Sequence, residues 1–106
     1  MPTAAEILVA IDVGTSGARA AAFDLAGNRQ LEVRRSYPTT SPAAGWAEQD
    51  PRAWQRAALG ALSGLVRELG SKRPVRAIGL TGQCPSVCLV DARGAPIGPG
   101  RGWLVS

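Results

Sequence analysis

Ile7-Leu8-Val9-Ala10-Ile11-Asp12-Val13-Gly14-Thr15-Ser16-Gly17-Ala18-Arg19-Ala20-Ala21-Ala22-Phe23 sets two apolar segments around a tight turn of small residues. Period alone does not separate a short buried strand from a piece of helix. The β-branched residues and flanking glycines favour strand, so the stretch reads as a β-hairpin. Asp12 falls where the first strand runs out. Gly14 and Gly17 allow positive φ and let another group approach the backbone closely. A turn of this kind can aim several N–H groups into one concavity, which suits an anion. Thr15 and Ser16 add hydroxyl donors, and Arg19 adds a fixed positive charge. Asp12 can hold Mg²⁺ directly or through water, because that hard cation takes carboxylate and water oxygens. Together these are the parts of a phosphate and Mg²⁺ site. On the residues alone, a glycine-rich hairpin turn with an Asp cap is the competing reading.

Two commoner phosphate loops are excluded. No Gly-x-x-x-x-Gly-Lys-Ser/Thr occurs, the only lysine being Lys72, and no Gly-x-Gly-x-x-Gly follows the first strand. Both of those loops lead into a helix. Here the turn leads back into a strand, so a phosphate would sit on a hairpin.

Working outward, the second strand runs over about residues 18–25 and ends at the turn signal Ala26-Gly27-Asn28. A third strand covers about residues 30–37. Its polar alternates predict an edge or half-exposed position. Residues 38–45 read as a loop, closed by Trp46-Ala47-Glu48-Gln49-Asp50-Pro51. Asp50 is a good N-cap and Pro51 suits the first helical position. The helix runs to about Leu69, with Trp54, Ala58, Ala61, Leu62, Leu65 and Leu69 on one apolar stripe. Trp54 reads as core. Gly60 and Gly64 lie near the stripe, where close packing on a sheet accounts for them, and Gly70 is the stop. Residues 75–81 form the next strand, parallel to the first because a helix joins them. Ligands sit at the carboxyl ends of strands in open α/β sheets, which links Asp12 with Gln83 at one edge. Residues 87–90 read as a further strand, turned by Asp91-Ala92-Arg93-Gly94, with Pro96-Ile97 starting a return.

The bulk properties bound the rest. A chain of 106 residues makes one small domain with a thin core. Neither disorder, a membrane span nor a secretory leader is indicated, which makes a cytoplasmic protein the expectation. The net charge of +4 comes from arginines scattered from Arg19 to Arg101. Without a basic stripe, nucleic acid is not an expected partner. Cys84 and Cys88 would lie about 13 Å apart in an extended segment. That is too far for a disulfide, so free thiols are expected. There is no histidine to build a zinc site.

At residues 12–19 the chain resembles the first phosphate motif of the FGGY carbohydrate kinases, and among them most closely the xylulokinases. The Trp46–Pro51 motif and Gly79-Leu80-Thr81-Gly82-Gln83 resemble the same family in the same order. The Asp-x-Gly-Thr turn alone is shared with other actin-like ATPases. The three motifs in sequence are more specific, and the resemblance spans residues 6–100.

The resemblance implies an α/β fold, a fragment of a ribonuclease-H-like (actin-like ATPase) domain. It would have three antiparallel strands, a crossover helix, a further parallel strand and a hairpin. Residues 1–106 would form part of the N-terminal domain of a sugar kinase. In that family the γ-phosphoryl of ATP moves to a sugar hydroxyl with Mg²⁺. Asp12 would serve the metal, and Gly14, Thr15, Ser16 and Arg19 would face the phosphates. Gln83, Cys84 and Pro85 would touch the sugar. Xylulokinases usually read Gly-Gln-Met-His-Gly there, whereas this chain reads Gly82-Gln83-Cys84-Pro85-Ser86. The general-base aspartate, the second domain and the adenine pocket lie further along in the family, so no catalytic residue is assigned in this chain. The chain alone is expected to lack useful kinase activity. It is also expected to expose apolar surface and self-associate. A non-catalytic actin-like binding or regulatory module is the alternative.

Overall fold

The computed structural model describes residues 6–71, 73–82 and 86–102. β1 (Ile7–Val13) and β2 (Gly17–Phe23) form the antiparallel hairpin. β3 (Arg29–Ser36) pairs with β2 on its far side. Between β2 and β3, the Asp24 carboxylate accepts from the amides of Ala26 and Asn28, and Gly27 takes a φ of 92°. β5 (Val75–Gly82) lies parallel to β1, which completes a four-stranded sheet in the order β3-β2-β1-β5. The edge position expected for the third strand is therefore observed.

Alternation along β1 buries Ile7, Val9 and Ile11 on one face. β2 presents Ala18, Ala20 and Ala22 to the same face, and these small side chains admit a helix close to the sheet. α1 (Pro51–Leu69) fills that place with Ala57, Ala61, Gly64 and Leu65 buried. The Asp50 side chain accepts from the Arg52 amide at 2.9 Å, and Gly70 stops the helix at a φ of 75°. The buried line is shifted one step from the expected stripe, toward β3. Gly64 explains the shift, since a Cβ there would stand 3.3 Å from a Val33 methyl and 3.2 Å from the Arg35 guanidinium. Leu62 and Leu69 are only partly buried.

α1 packs on β2 and β3, touches β1 less, and leaves β5 uncovered. Ile78 pairs with Val9, and Leu80 with Ile11, so both point to the helix side of the sheet. Both are exposed, Leu80 at 75%.

β4 (Glu48–Gln49), β6 (Ser86–Val87) and β7 (Gly100–Gly102) form a second small sheet, in the order β4-β7-β6. The strand expected over residues 87–90 is thus shorter. Beyond Val87 the chain keeps a hairpin through Ile97 N–H to the Leu89 carbonyl and Asp91 N–H to the Ala95 carbonyl. Pro96 faces Val90 and has no N–H to extend the ladder. Asp91 and Gly94 make the expected turn, with Gly94 at a φ of 82°. Cys88 is a free, partly exposed thiol, while Cys84 lies outside the described residues. Among the described residues, no helix is long and apolar enough to cross a membrane.

Candidate functional site

The sheet brings its charged groups together at one register. Asp12 of β1 stands beside Arg19 of β2 and Thr81 of β5, and Arg19 stands beside Arg34 of β3. Paired residues point to the same face of a sheet, so Thr81, Asp12, Arg19 and Arg34 make a row. This row lies opposite α1, because Ile11 and Val13, which flank Asp12, face the helix side.

At the end of the row the turn opens a cavity of about 360 Å³. Asp12, Gly14, Thr15, Ser16, Gly17 and Arg19 line it, with Arg34, Arg35 and Ser36 from β3. The five cofactor-site residues read from the sequence therefore share one cavity. The Asp12 side chain is 40% exposed, with one oxygen 3.7 Å from Arg19 Nη2. The turn is closed by Gly14 N–H donating to the Gly17 carbonyl at 2.9 Å. Among the described residues, none accepts from the Thr15 or Ser16 backbone amide.

The glycines work differently from expectation. Neither Gly14 nor Gly17 adopts positive φ. Gly17 is needed for close approach instead, since a Cβ there would meet the Arg35 carbonyl oxygen at 2.5 Å.

The electrostatics are those of a shared arginine. Arg19 lies between Asp12 and Glu32, with Nη1 4.0 Å from Glu32. Arg34, hydrogen-bonded to Glu32, holds its carboxyl below the usual range, and the charges of Arg34, Arg29 and Arg19 add to this. Burial pushes the Tyr37 phenol up, and the negative charge of Asp12 pushes the same way. The tyrosine hydroxyl donates to the Gly14 carbonyl from behind the turn.

The donor set fits a nucleotide phosphate with Mg²⁺ in one specific sense. Among the described residues, no group of three or more acidic, Cys or His side chains gathers for a metal. Mg²⁺ does not require one, because it typically takes one or two carboxylates and completes its shell with phosphate oxygens and water. Asp12 can supply that carboxylate, and the Thr15 and Ser16 amides, without an acceptor among the described residues, can donate to an anion.

Sequence reading missed Arg34, Arg35 and Ser36 as cavity residues. The Arg34-Arg35 pair reads locally as scattered surface charge, because the register that sets Arg34 beside Arg19 is not written in neighbouring residues. Gln83, Cys84 and Pro85 lie outside the described residues. The last described residues of β5, Thr81 and Gly82, stand beside Asp12 and Val13 at the turn end of the sheet.

The sequence and fold are similar to those of known proteins. Residues 7–105 match the N-terminal domain model of the FGGY family of carbohydrate kinases. A glycerol kinase of Acidovorax ebreus is 36% identical over 92 residues, covering 85% of this chain and 18% of the relative. A xylulose kinase of Staphylococcus xylosus is 28% identical over 96 residues, covering 91% and 20%. The crystal structure of xylulose kinase from Rhodospirillum rubrum superposes with a TM-score of 0.89 at 30% identity, covering 94% of this chain and 21% of that one. The chain thus spans about a fifth of the length of these relatives. Its α/β architecture is that of the actin-like ATPase fold. Motif order, sheet topology and family match converge: the chain belongs to the FGGY family of carbohydrate kinases.

Proposed function

We propose that these residues are the phosphate-gripping part of an ATP-dependent kinase that phosphorylates a sugar hydroxyl, a xylulose-like sugar being the preferred acceptor. The open turn carries this reading: Asp12, Thr15, Ser16 and Arg19 line one cavity, and among the described residues nothing accepts from the Thr15 or Ser16 amide. Asp12 holds Mg²⁺, and Gly14, Thr15, Ser16 and Arg19 contact the phosphates of ATP. When bound, Mg²⁺ neutralises charge that develops on the transferring phosphoryl group. Arg19 contributes a second positive charge there once it turns from Asp12. Gln83, Cys84 and Pro85 contact the sugar.

The general base and the adenine pocket belong to a longer polypeptide, so the 106-residue chain alone is inactive. Its working site is cytoplasmic, and its partners are nucleotide and sugar rather than nucleic acid or membrane. Separated from a longer chain, the uncovered apolar face over β5 drives self-association. The relatives include both xylulose and glycerol kinases, so a small polyol is the competing acceptor. A non-catalytic actin-like binding module is the second reading.

Turnover against a panel of ketoses, aldoses and polyols separates these. The full-length setting is expected to phosphorylate one of them, and the isolated chain none. Failure of the full-length protein on every acceptor would favour the binding module.

A further inference from the structure

Gln49 is the buried polar side chain among the described residues, with 7% exposure. It belongs to the Trp46–Pro51 motif, to which the phosphate reading gives no task. Its Nε2 donates to the Thr15 carbonyl at 2.7 Å and to Thr39 Oγ1 at 2.7 Å. Its Oε1 accepts from Trp54 Nε1 at 2.8 Å. An indole N–H only donates, so Trp54 fixes which end of the amide it meets and turns the NH₂ toward Thr15. Trp54 is itself held between Gly100 of β7, where a Cβ would collide with the indole, and a cluster that contains Tyr37, Ala57 and Ala18.

Tyr37 completes the arrangement. Its hydroxyl donates to the Gly14 carbonyl, and its amide donates to the Ser16 carbonyl at 3.1 Å. Three successive carbonyls, those of Gly14, Thr15 and Ser16, are therefore held from the protein side. In a planar trans peptide the C=O of one residue and the N–H of the next point in opposite directions. Holding the Gly14 and Thr15 carbonyls thus aims the Thr15 and Ser16 amides away from Gln49 and Tyr37.

We propose that Gln49 and Tyr37 are positioning residues that set the turn in its anion-receiving shape before any ligand arrives, with Trp54 fixing the Gln49 amide. This rests on the phosphate reading of the turn, and it gives the Trp46–Pro51 motif a mechanical role at a distance from the phosphates. Such preorganisation spares the turn an ordering cost on binding.

Amide hydrogen exchange in the 106-residue chain tests it, comparing wild type with Gln49→Glu and Tyr37→Phe. The carboxylate introduced by Gln49→Glu would keep an acceptor for Trp54 but offer Thr15 no donor. The Gly14 amide is expected to exchange about tenfold faster in each variant, while the Leu65 amide of α1 keeps its rate. Acceleration of both amides together would reduce Gln49 and Tyr37 to general packing, and no change at Gly14 would remove the role altogether. A second arm adds Mg²⁺–ATP and follows the amide resonances of the turn. About tenfold weaker binding by the variants supports the proposal. Equal binding by wild type and variants overturns it. If wild type does not respond to Mg²⁺–ATP, the nucleotide reading falls, and the Gly14 exchange pattern still decides whether the turn is held in this way.

Discussion

At position 17 a methyl group would stand 2.5 Å from the Arg35 carbonyl oxygen and 2.9 Å from the Ser36 Cα. Both atoms are backbone of the neighbouring strand, which cannot yield as a flexible side chain does. Gly17→Ala is therefore expected to destabilise the chain by about 1–3 kcal/mol in urea melts; an unchanged midpoint would contradict the close strand contact. Sequence reading singles out this glycine for positive φ as well as for close approach, and only the second holds. Its true neighbours are fixed by the pairing of β2 with β3, which no local pattern reveals. Tyr37 offers a second test at this scale. It is the sole tyrosine, so ultraviolet absorbance can follow its ionisation. Burial and Asp12 raise its pKa, and the midpoint should lie above 10.0. With the folded value above the unfolded one, the stabilisation by the neutral phenol is full below about pH 10 and drains away as pH rises through the folded value. A midpoint at or below 10.0 would contradict the burial of the hydroxyl behind the turn.

Helix α1 shows what is legible at the scale of an element. Its start and stop are readable because Asp50, Pro51 and Gly70 act within a few residues of chain. Asp50→Ala should cost about 1 kcal/mol, measured by thermal or urea unfolding. Leu65→Ala, which empties a fully buried site facing β1 and β2, should cost about 2–5 kcal/mol. A smaller loss for Leu65→Ala than for Asp50→Ala would contradict the placement of the core. The small sheet of β4, β7 and β6 is not legible. Each strand has two or three residues, and the partners are about fifty residues apart in Glu48↔Arg101, too little pattern over too long a separation. The cavity is half legible for the same reason. Residues 12–19 announce themselves in one run, whereas Arg34, Arg35 and Ser36 reach it only through strand register.

Seen whole, the molecule is more extended than its length requires. Its radius of gyration is 16.1 Å, against about 13 Å for a compact chain of this size. The uncovered helix side of β5 fits that excess: Ile78 and Leu80 continue the core face past the reach of α1. Light scattering is expected to show mass rising with concentration, and Leu80→Glu is expected to lower it. A monodisperse monomer at high concentration would contradict a role for this face in association.

The proposed grip of the turn on phosphate and metal is tested most directly by titrating the 106-residue chain with Mg²⁺–ATP and following its backbone amide resonances. The largest shifts are expected at residues 14–19 and 34–36, and they should vanish in Asp12→Ala while the fold persists. Shifts centred elsewhere, or undiminished in Asp12→Ala, would contradict it.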